Sequence, residues 1–208
     1  MILTTLEMEI LYLFTKNVYL EQSILYLAKE IKKDYKNVFR TVKNLEKKDI
    51  LRIKKIGTTN LCSLNFKTLD LPLYLSFAEE ITSRERLGKK FPFLKNFTQE
   101  LQKIAPVSCL GIFGSHVKRT ATPKSDIDIF ILTEEHKIKD LKHFTSQHFP
   151  ELEHTIDLQV ISFQEFWLSL KSNEFTVSKE IAKNKMIYWG GELFYQMIQE
   201  AHHELRRE

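Results

Sequence analysis

The sequence predicts an α+β fold in two parts: an N-terminal helical module closed by a hairpin, then an α/β domain with a small mixed sheet and C-terminal helices. Three observations predict it. Apolar residues recur at helical intervals in the first part of the chain, and the period changes to that of strands from Ile50 to Phe66. The stretch LGIFGSHVKRTATPKSDIDIFIL, Leu110 to Leu132, reads as strand, polar turn, strand. Charge is also divided, because residues 1–66 carry 12 Lys+Arg against 7 Asp+Glu, net +5, and the remainder is net −1.

At 208 residues and 43% hydrophobic content, the chain suits one large domain or two small ones of the soluble globular class. The opening MILTTLEMEILYLF has no basic lead and is broken by Glu7 and Glu9, so it reads as an amphipathic helix rather than a signal peptide. No segment approaches the roughly 18 apolar residues of a membrane span. The expected location is therefore cytoplasmic, with no membrane partner. Cys62 and Cys109 lie far apart without metal-ligand or CxxC spacing and are expected to be buried free thiols.

Thr4-Thr5-Leu6-Glu7 has capping-box spacing, and Leu6, Ile10, Leu13 and Phe14 follow at helical intervals, so a first helix runs to about Thr15. Val18 to Leu20 reads as a short extended piece. Ser23 caps a second helix through Ile31, and Asp34 caps a third to about Lys48. In that third helix Val38, Val42 and Leu45 face inward, which leaves Lys36, Arg40, Lys43, Asn44 and Lys47 on a basic outer face. LRIKKI and LCSLNF then flank a hairpin turn at Gly57.

Helix, helix, basic helix, hairpin is the order of a winged helix-turn-helix. The residues LAKEIKKDYKNVFRTVKNLEKKDILRIKKIGTTNLCSLN resemble the winged-helix modules of prokaryotic transcription regulators. The resemblance implies a DNA partner: Lys36, Asn37, Arg40, Lys43 and Asn44 would approach the major groove, and Lys54 and Lys55 of the wing would touch phosphates. The plainer alternative is a solvated helix face in a module that dimerises or docks a protein.

Residues 1–66 are thus assigned to the winged domain, 67–95 to a helical connector, and 96–208 to the second domain with its C-terminal helices. Asp70-Leu71-Pro72 suits a helix start, with Leu73, Phe77 and Ile81 on one face. Pro92 begins another helix whose Phe93, Phe97, Leu101 and Ile104 form a core stripe, and Pro106 ends it. After the strand-turn-strand stretch come a helix over 137–149, a strand from Thr155 to Ile161, and helices from Phe163 and Val177. A short extended piece, Met186 to Tyr188, precedes a last helix from Glu192 to about Glu204. Trp167, Tyr188, Trp189 and Tyr195 pack those helices against the sheet, or one of them stacks on a base.

The chemistry concentrates between Gly114 and Asp128. Residues i and i+2 of a strand share a face, so Asp126 and Asp128 present two carboxylates roughly 6.6 Å apart at the backbone. That span suits two divalent ions about 3.5–4 Å apart, as in two-metal phosphoryl transfer. Gly114 lets the backbone approach a phosphate, Ser115 adds a hydroxyl, and Lys118 and Arg119 add positive charge one turn later. Asp157, which interrupts the alternation of HTIDLQV, is the best candidate for a third carboxylate, as metal ligand or as base toward an acceptor hydroxyl. His116 either touches a phosphate or sits at the surface without a task. His136, His143, His148, His154, His202 and His203 show no metal-ligand pattern.

Gly114-Ser115, nine residues, then Ser125-Asp126-Ile127-Asp128 resembles the signature of the nucleotidyltransferase superfamily related to DNA polymerase beta, above all its minimal prokaryotic branch. The similarity covers roughly Phe97 to Ser162. It implies Mg²⁺, two ions held by Asp126, Asp128 and Asp157, and ATP or another NTP gripped by Gly114, Ser115, Lys118, Arg119 and Ser125. Many members carry glycine where this chain has Arg119, which would be strained if that position needs a positive φ.

The leading expectation is transfer of a nucleoside monophosphate to an acceptor hydroxyl. The resemblance implies that a HEPN-type toxin partner could be the acceptor, with this chain as antitoxin. Two alternatives stand beside it: a DNA-binding regulator whose transferase-like domain senses nucleotide or is inactive, and an RNA end-processing nucleotidyltransferase. The acceptor, base preference and oligomeric state are not legible.

Overall fold

Side-chain caps mark where the N-terminal helices begin. In the computed structural model, which describes residues 3–148 and 155–205, Thr4 and Glu7 exchange both hydrogen bonds of a capping box at the start of α1 (Thr5–Lys16). Ser23 caps α2 (Ile24–Ile31), and Asp34 caps α3 (Tyr35–Lys47) by accepting from the Asn37 N–H at 3.1 Å. Val38, Val42 and Leu45 are fully buried beneath α3. Strands β2 (Leu51–Ile56) and β3 (Thr59–Leu64) form the hairpin, and β1 (Gln22–Ser23) adds to β3 in a three-stranded antiparallel sheet. The extended piece expected at Val18–Leu20 is instead a turn; the strand lies two residues later, where pairing with Leu61 and Cys62 satisfies its backbone.

The second sheet has the order β6-β5-β4-β7, from β4 (Ser108–Phe113), β5 (Ile127–Thr133), β6 (Ile156–Ser162) and β7 (Lys185–Trp189). β4 runs antiparallel to β5 and β7, whereas β5 and β6 are parallel. It is a small mixed sheet within an α+β fold. Helices α5 (Phe93–Ile104) and α7 (Ile138–His148) pack on the sheet through Leu94, Phe97, Leu101, Leu141 and Phe144. Phe166 of α8 (Phe163–Lys171), Ile181 of α9 (Val177–Lys183) and Phe194 of α10 (Gly191–Leu205) join the larger core. A four-residue helix, α6 (Ser115–Lys118), fills the turn between β4 and β5. Phe149, at the end of an expected helix, and His154 lie outside the described residues.

The long helix α4 (Leu71–Lys90) ties the parts together, lying against α1, α10 and β7. Edge strands need their outer backbone groups satisfied, and α4 does this for β7: the Ile187 N–H donates to Glu79 Oε1 at 3.2 Å, and Arg84 Nε donates to the Tyr188 carbonyl at 2.9 Å. Glu79 is buried, as is Lys185, 3.8 Å away. Tyr195 donates its hydroxyl to Glu79, and Lys185 donates to the Thr15 carbonyl, so one buried polar network joins α1, α4, β7 and α10. Among the described residues no helix is long and apolar enough to cross a membrane.

Leu73, Phe77 and Ile81 share a face of α4, as their spacing predicts, and that face is exposed; the inward face carries Leu71, Tyr74, Leu75, Ala78, Glu79, Ser83 and Leu87. Neighbours on three sides take the second face, including a glutamate and a serine that pattern reading assigns to solvent.

Candidate active site

Gly114 ends β4 with φ +69° and ψ −144°, backbone that side-chain-bearing residues rarely adopt. The space a Cβ would need is occupied, since it would stand 2.1 Å from Asp128 Oδ2 and 2.6 Å from Asp128 Cγ. The turn and the carboxylate are therefore built against each other. Ser115 opens α6, and its main-chain N–H hydrogen-bonds Asp128.

The parallel register of β5 and β6 sets Asp128 beside Asp157. Paired residues of adjacent strands point to the same face, so both carboxylates lie on the same side of the sheet. Asp126 immediately precedes β5 and is exposed. Burial pushes the Asp128 carboxyl above its ordinary value, the Ser115 N–H pulls it back, and the charges of Asp157 and Asp126 raise it further. Gln159 Nε2 donates to Asp157 Oδ1 at 3.0 Å and orients it. Among the described residues, Asp126, Asp128 and Asp157 form no ion pair.

No group of three or more His, Cys, Asp or Glu among the described residues is drawn together closely enough to hold a metal ion as it stands. The donor chemistry still fits a divalent cation, because Asp128 is paired in register with Asp157 and feels the charges of Asp157 and Asp126, none of the three is in an ion pair among the described residues, and like charges near one another favour a bound cation.

The other residues singled out in the turn are distributed differently. Lys118 Nζ pairs with Glu180 Oε1 of α9 at 2.5 Å and so ties the turn to the C-terminal helices. Arg119 has φ +61° in the left-handed region, the conformation in which glycine would be unstrained, and its charge acts on Tyr12 and Lys16 of α1. Ser125 spends its hydroxyl locally, accepting from the Thr122 N–H at 2.8 Å. A cleft of about 450 Å³ opens here, lined by Lys90, Phe91, His116, Thr122 and Ser125 among others.

Two contributors escape sequence reasoning. Lys90, at the end of α4, places Nζ 2.9 Å from His116 Nδ1. Burial, then the Lys90 charge, lowers the His116 pKa, while the main chain of Ser125 and the Asp128 charge oppose them. Glu180 is the other. Both lie far from the motif in sequence, and no local signal marks them.

The winged module keeps Lys36, Asn37, Arg40, Asn44, Lys54 and Lys55 exposed, on α3 and the β2–β3 hairpin. Lys43 is half-buried and paired with Glu46 at 2.8 Å.

Residues 94–188 match the family model described as Nucleotidyltransferase domain, a span that holds α5, the Gly-Ser turn and nearly all of the four-stranded sheet. That span is similar to a nucleotidyltransferase domain and follows a module of three helices and a hairpin. No curated protein matches it. Among solved structures it is similar to wild-type Lactococcus lactis ZitR in complex with DNA, at 21% identity over 49% of this chain and 77% of that one, TM-score 0.33. It is similar to the adhesin competence repressor AdcR of Streptococcus pyogenes at 18% identity, covering 73% of this chain and 83% of that one, TM-score 0.33. A toxin-antitoxin crystal structure with AMP-PNP overlaps at 19% identity, 54% of this chain and 90% of that one, TM-score 0.34.

Proposed function

We propose that the protein is a nucleotidyltransferase that moves a nucleoside monophosphate, with ATP as donor, to an acceptor hydroxyl, and that its winged module binds DNA. The observation that supports this most is Asp128 seated in the Cβ space of Gly114 with Asp157 beside it on the next strand. The domains would be 1–66, 67–95 and 96–208.

Asp126, Asp128 and Asp157 would hold Mg²⁺, which supplies charge neutralisation at the phosphates when bound. Gly114 admits the phosphate chain close to the backbone, and the Ser115 hydroxyl and the Arg119 guanidinium would orient it. Lys118 would hold the turn through Glu180 more than it holds nucleotide. Asp157, the more exposed carboxylate, would take the proton of the acceptor hydroxyl; the acceptor oxygen bonds to the α-phosphorus as the bond to pyrophosphate breaks. A hydroxyl on a HEPN-type partner protein is the leading acceptor, by the family resemblance. Lys36, Asn37, Arg40 and Asn44 would enter the major groove, with Lys54 and Lys55 on flanking phosphates.

The test is incubation of the full chain with α-labelled ATP and Mg²⁺, with a candidate partner protein or with RNA. Label on the protein supports the leading reading, and label on RNA supports the end-processing alternative. No label on either, with tight operator binding, leaves the nucleotide-sensing regulator.

A further inference from the structure

A cavity of about 510 Å³ lies where the end of α1 and the turn after it meet helices α8, α9 and α10. It shares no residue with the carboxylate site or with the basic face of α3, and its size falls within the range of about 300–1,000 Å³ of small-molecule sites. Val18, Leu170, Ala182 and Ile198 give it an apolar lining, to which Tyr19 adds an aromatic ring. That ring is held by stacking on Phe66 and His202, with centroids 5.8 and 5.5 Å away.

The charges around the cavity are all of one sign. Lys16, Lys179 and Lys183 line it, and no Asp or Glu does. Lys179 donates to the Ser172 carbonyl, and the Lys16 ammonium stands 5.3 Å from the centre of the Tyr12 ring. Among the described residues none of the three lysines is in an ion pair. Burial, then the charges of Arg86 and Arg119, hold the Lys16 pKa below its ordinary value, with Glu30 opposing them. Ammonium groups gathered on an apolar lining call for a counter-charge, and the protein supplies none at this place.

We propose that this cavity binds a small organic anion, an apolar aromatic or aliphatic body that carries one carboxylate. The body fills the space between Val18, Leu170, Ala182 and Ile198, and the carboxylate meets the ammonium groups of Lys16 and Lys183. The inference is independent of the transferase reading. Helix α9 lends Lys179 and Lys183 to the cavity and also holds the Gly-Ser turn through Glu180 and Lys118, so the site stands between the N-terminal module and the motif.

The experiment is a fluorescence titration of the full chain with two probes: anilinonaphthalene sulfonate, an aromatic body with one anionic group, and phenylnaphthylamine, the same body without the charge. The wild type is expected to bind the sulfonate saturably at one site per chain, and decanoate to displace it at lower concentration than decanol. Lys16→Gln combined with Lys183→Gln is expected to bind the sulfonate about tenfold more weakly, as loss of two partly exposed charge contacts implies. The same variant should keep its affinity for phenylnaphthylamine and its melting temperature, because both lysines are exposed. Ala182→Trp, which fills the cavity, is expected to lose both probes. Absence of saturable binding, equal sulfonate affinity in the wild type and the double lysine variant, or probe binding retained in Ala182→Trp overturns the proposal.

Discussion

Replacing Gly114 with alanine perturbs the backbone and the chemistry by separable amounts. At φ +69° and ψ −144° an alanine is strained by about 1–3 kcal/mol. For a chain of this length each kcal/mol moves the melting temperature by roughly 2–4 °C, so a fall of about 2–12 °C is expected in a thermal melt. The new Cβ would also lie 2.1 Å from Asp128 Oδ2. That oxygen is the end of a side chain and can swing away, so relief costs little stability but shifts the carboxylate by about 1 Å or more. Displacement of a reacting group on that scale costs on the order of 100-fold in rate. Transfer of label from ATP should therefore fall about 100-fold in a protein that remains folded. If Gly114→Ala transfers label within threefold of the wild type, Asp128 is not where the reaction needs it.

Four further outcomes follow from other residues. The folded pKa of Asp128 is raised by burial, with Asp157 and Asp126 adding to it, so its stabilising contribution is full below the ordinary value of 3.8 and is lost as pH rises through the raised value. Asp128→Asn should then melt higher than the wild type at pH 7, lose that advantage at pH 3, and transfer no label; a lower melting temperature at pH 7 would contradict this. Arg119→Gly should raise stability by about 1 kcal/mol in urea titration, because it relieves a left-handed residue. Glu79→Gln should cost about 3–5 kcal/mol by leaving Lys185 buried without its partner, and adding Lys185→Met should recover most of it. Arg40→Ala should weaken DNA binding and relax its sequence preference, whereas Lys54→Ala should lower the slope of log K against log salt by about 1; Lys43→Ala, already neutralised by Glu46, should change either less.

Local signals carried far in this chain. Thr4, Ser23 and Asp34 stand as caps in the sequence because a small side-chain oxygen precedes an apolar helical row, and all three cap in the structure. The strand-turn-strand of the motif was legible for the same reason: apolar runs are interrupted by Gly114-Ser115 and closed by Ser125-Asp126. Register was not. That Asp128 stands beside Asp157 depends on pairing two strands separated by a whole helix. Nor was it legible that β7 lies on the far side of β4, because a strand of five residues does not specify its neighbour. Which face of α4 turns inward was not legible either, because spacing identifies a row, while tertiary neighbours decide which row is buried. Lys90 beside His116 and Glu180 on Lys118 are long-range ion and hydrogen-bond partners of the same kind.

The central claim is that the carboxylates around Asp128 gather a divalent cation at a nucleotide. Its most direct measurement is binding of Mn²⁺, followed by electron paramagnetic resonance, to the full chain in the presence of a non-hydrolysable ATP analogue. The account predicts saturable Mn²⁺ binding that needs the analogue, is weakened at least tenfold in Asp128→Asn, and is unchanged in Arg40→Ala. Equal Mn²⁺ binding by the wild type and Asp128→Asn would contradict it.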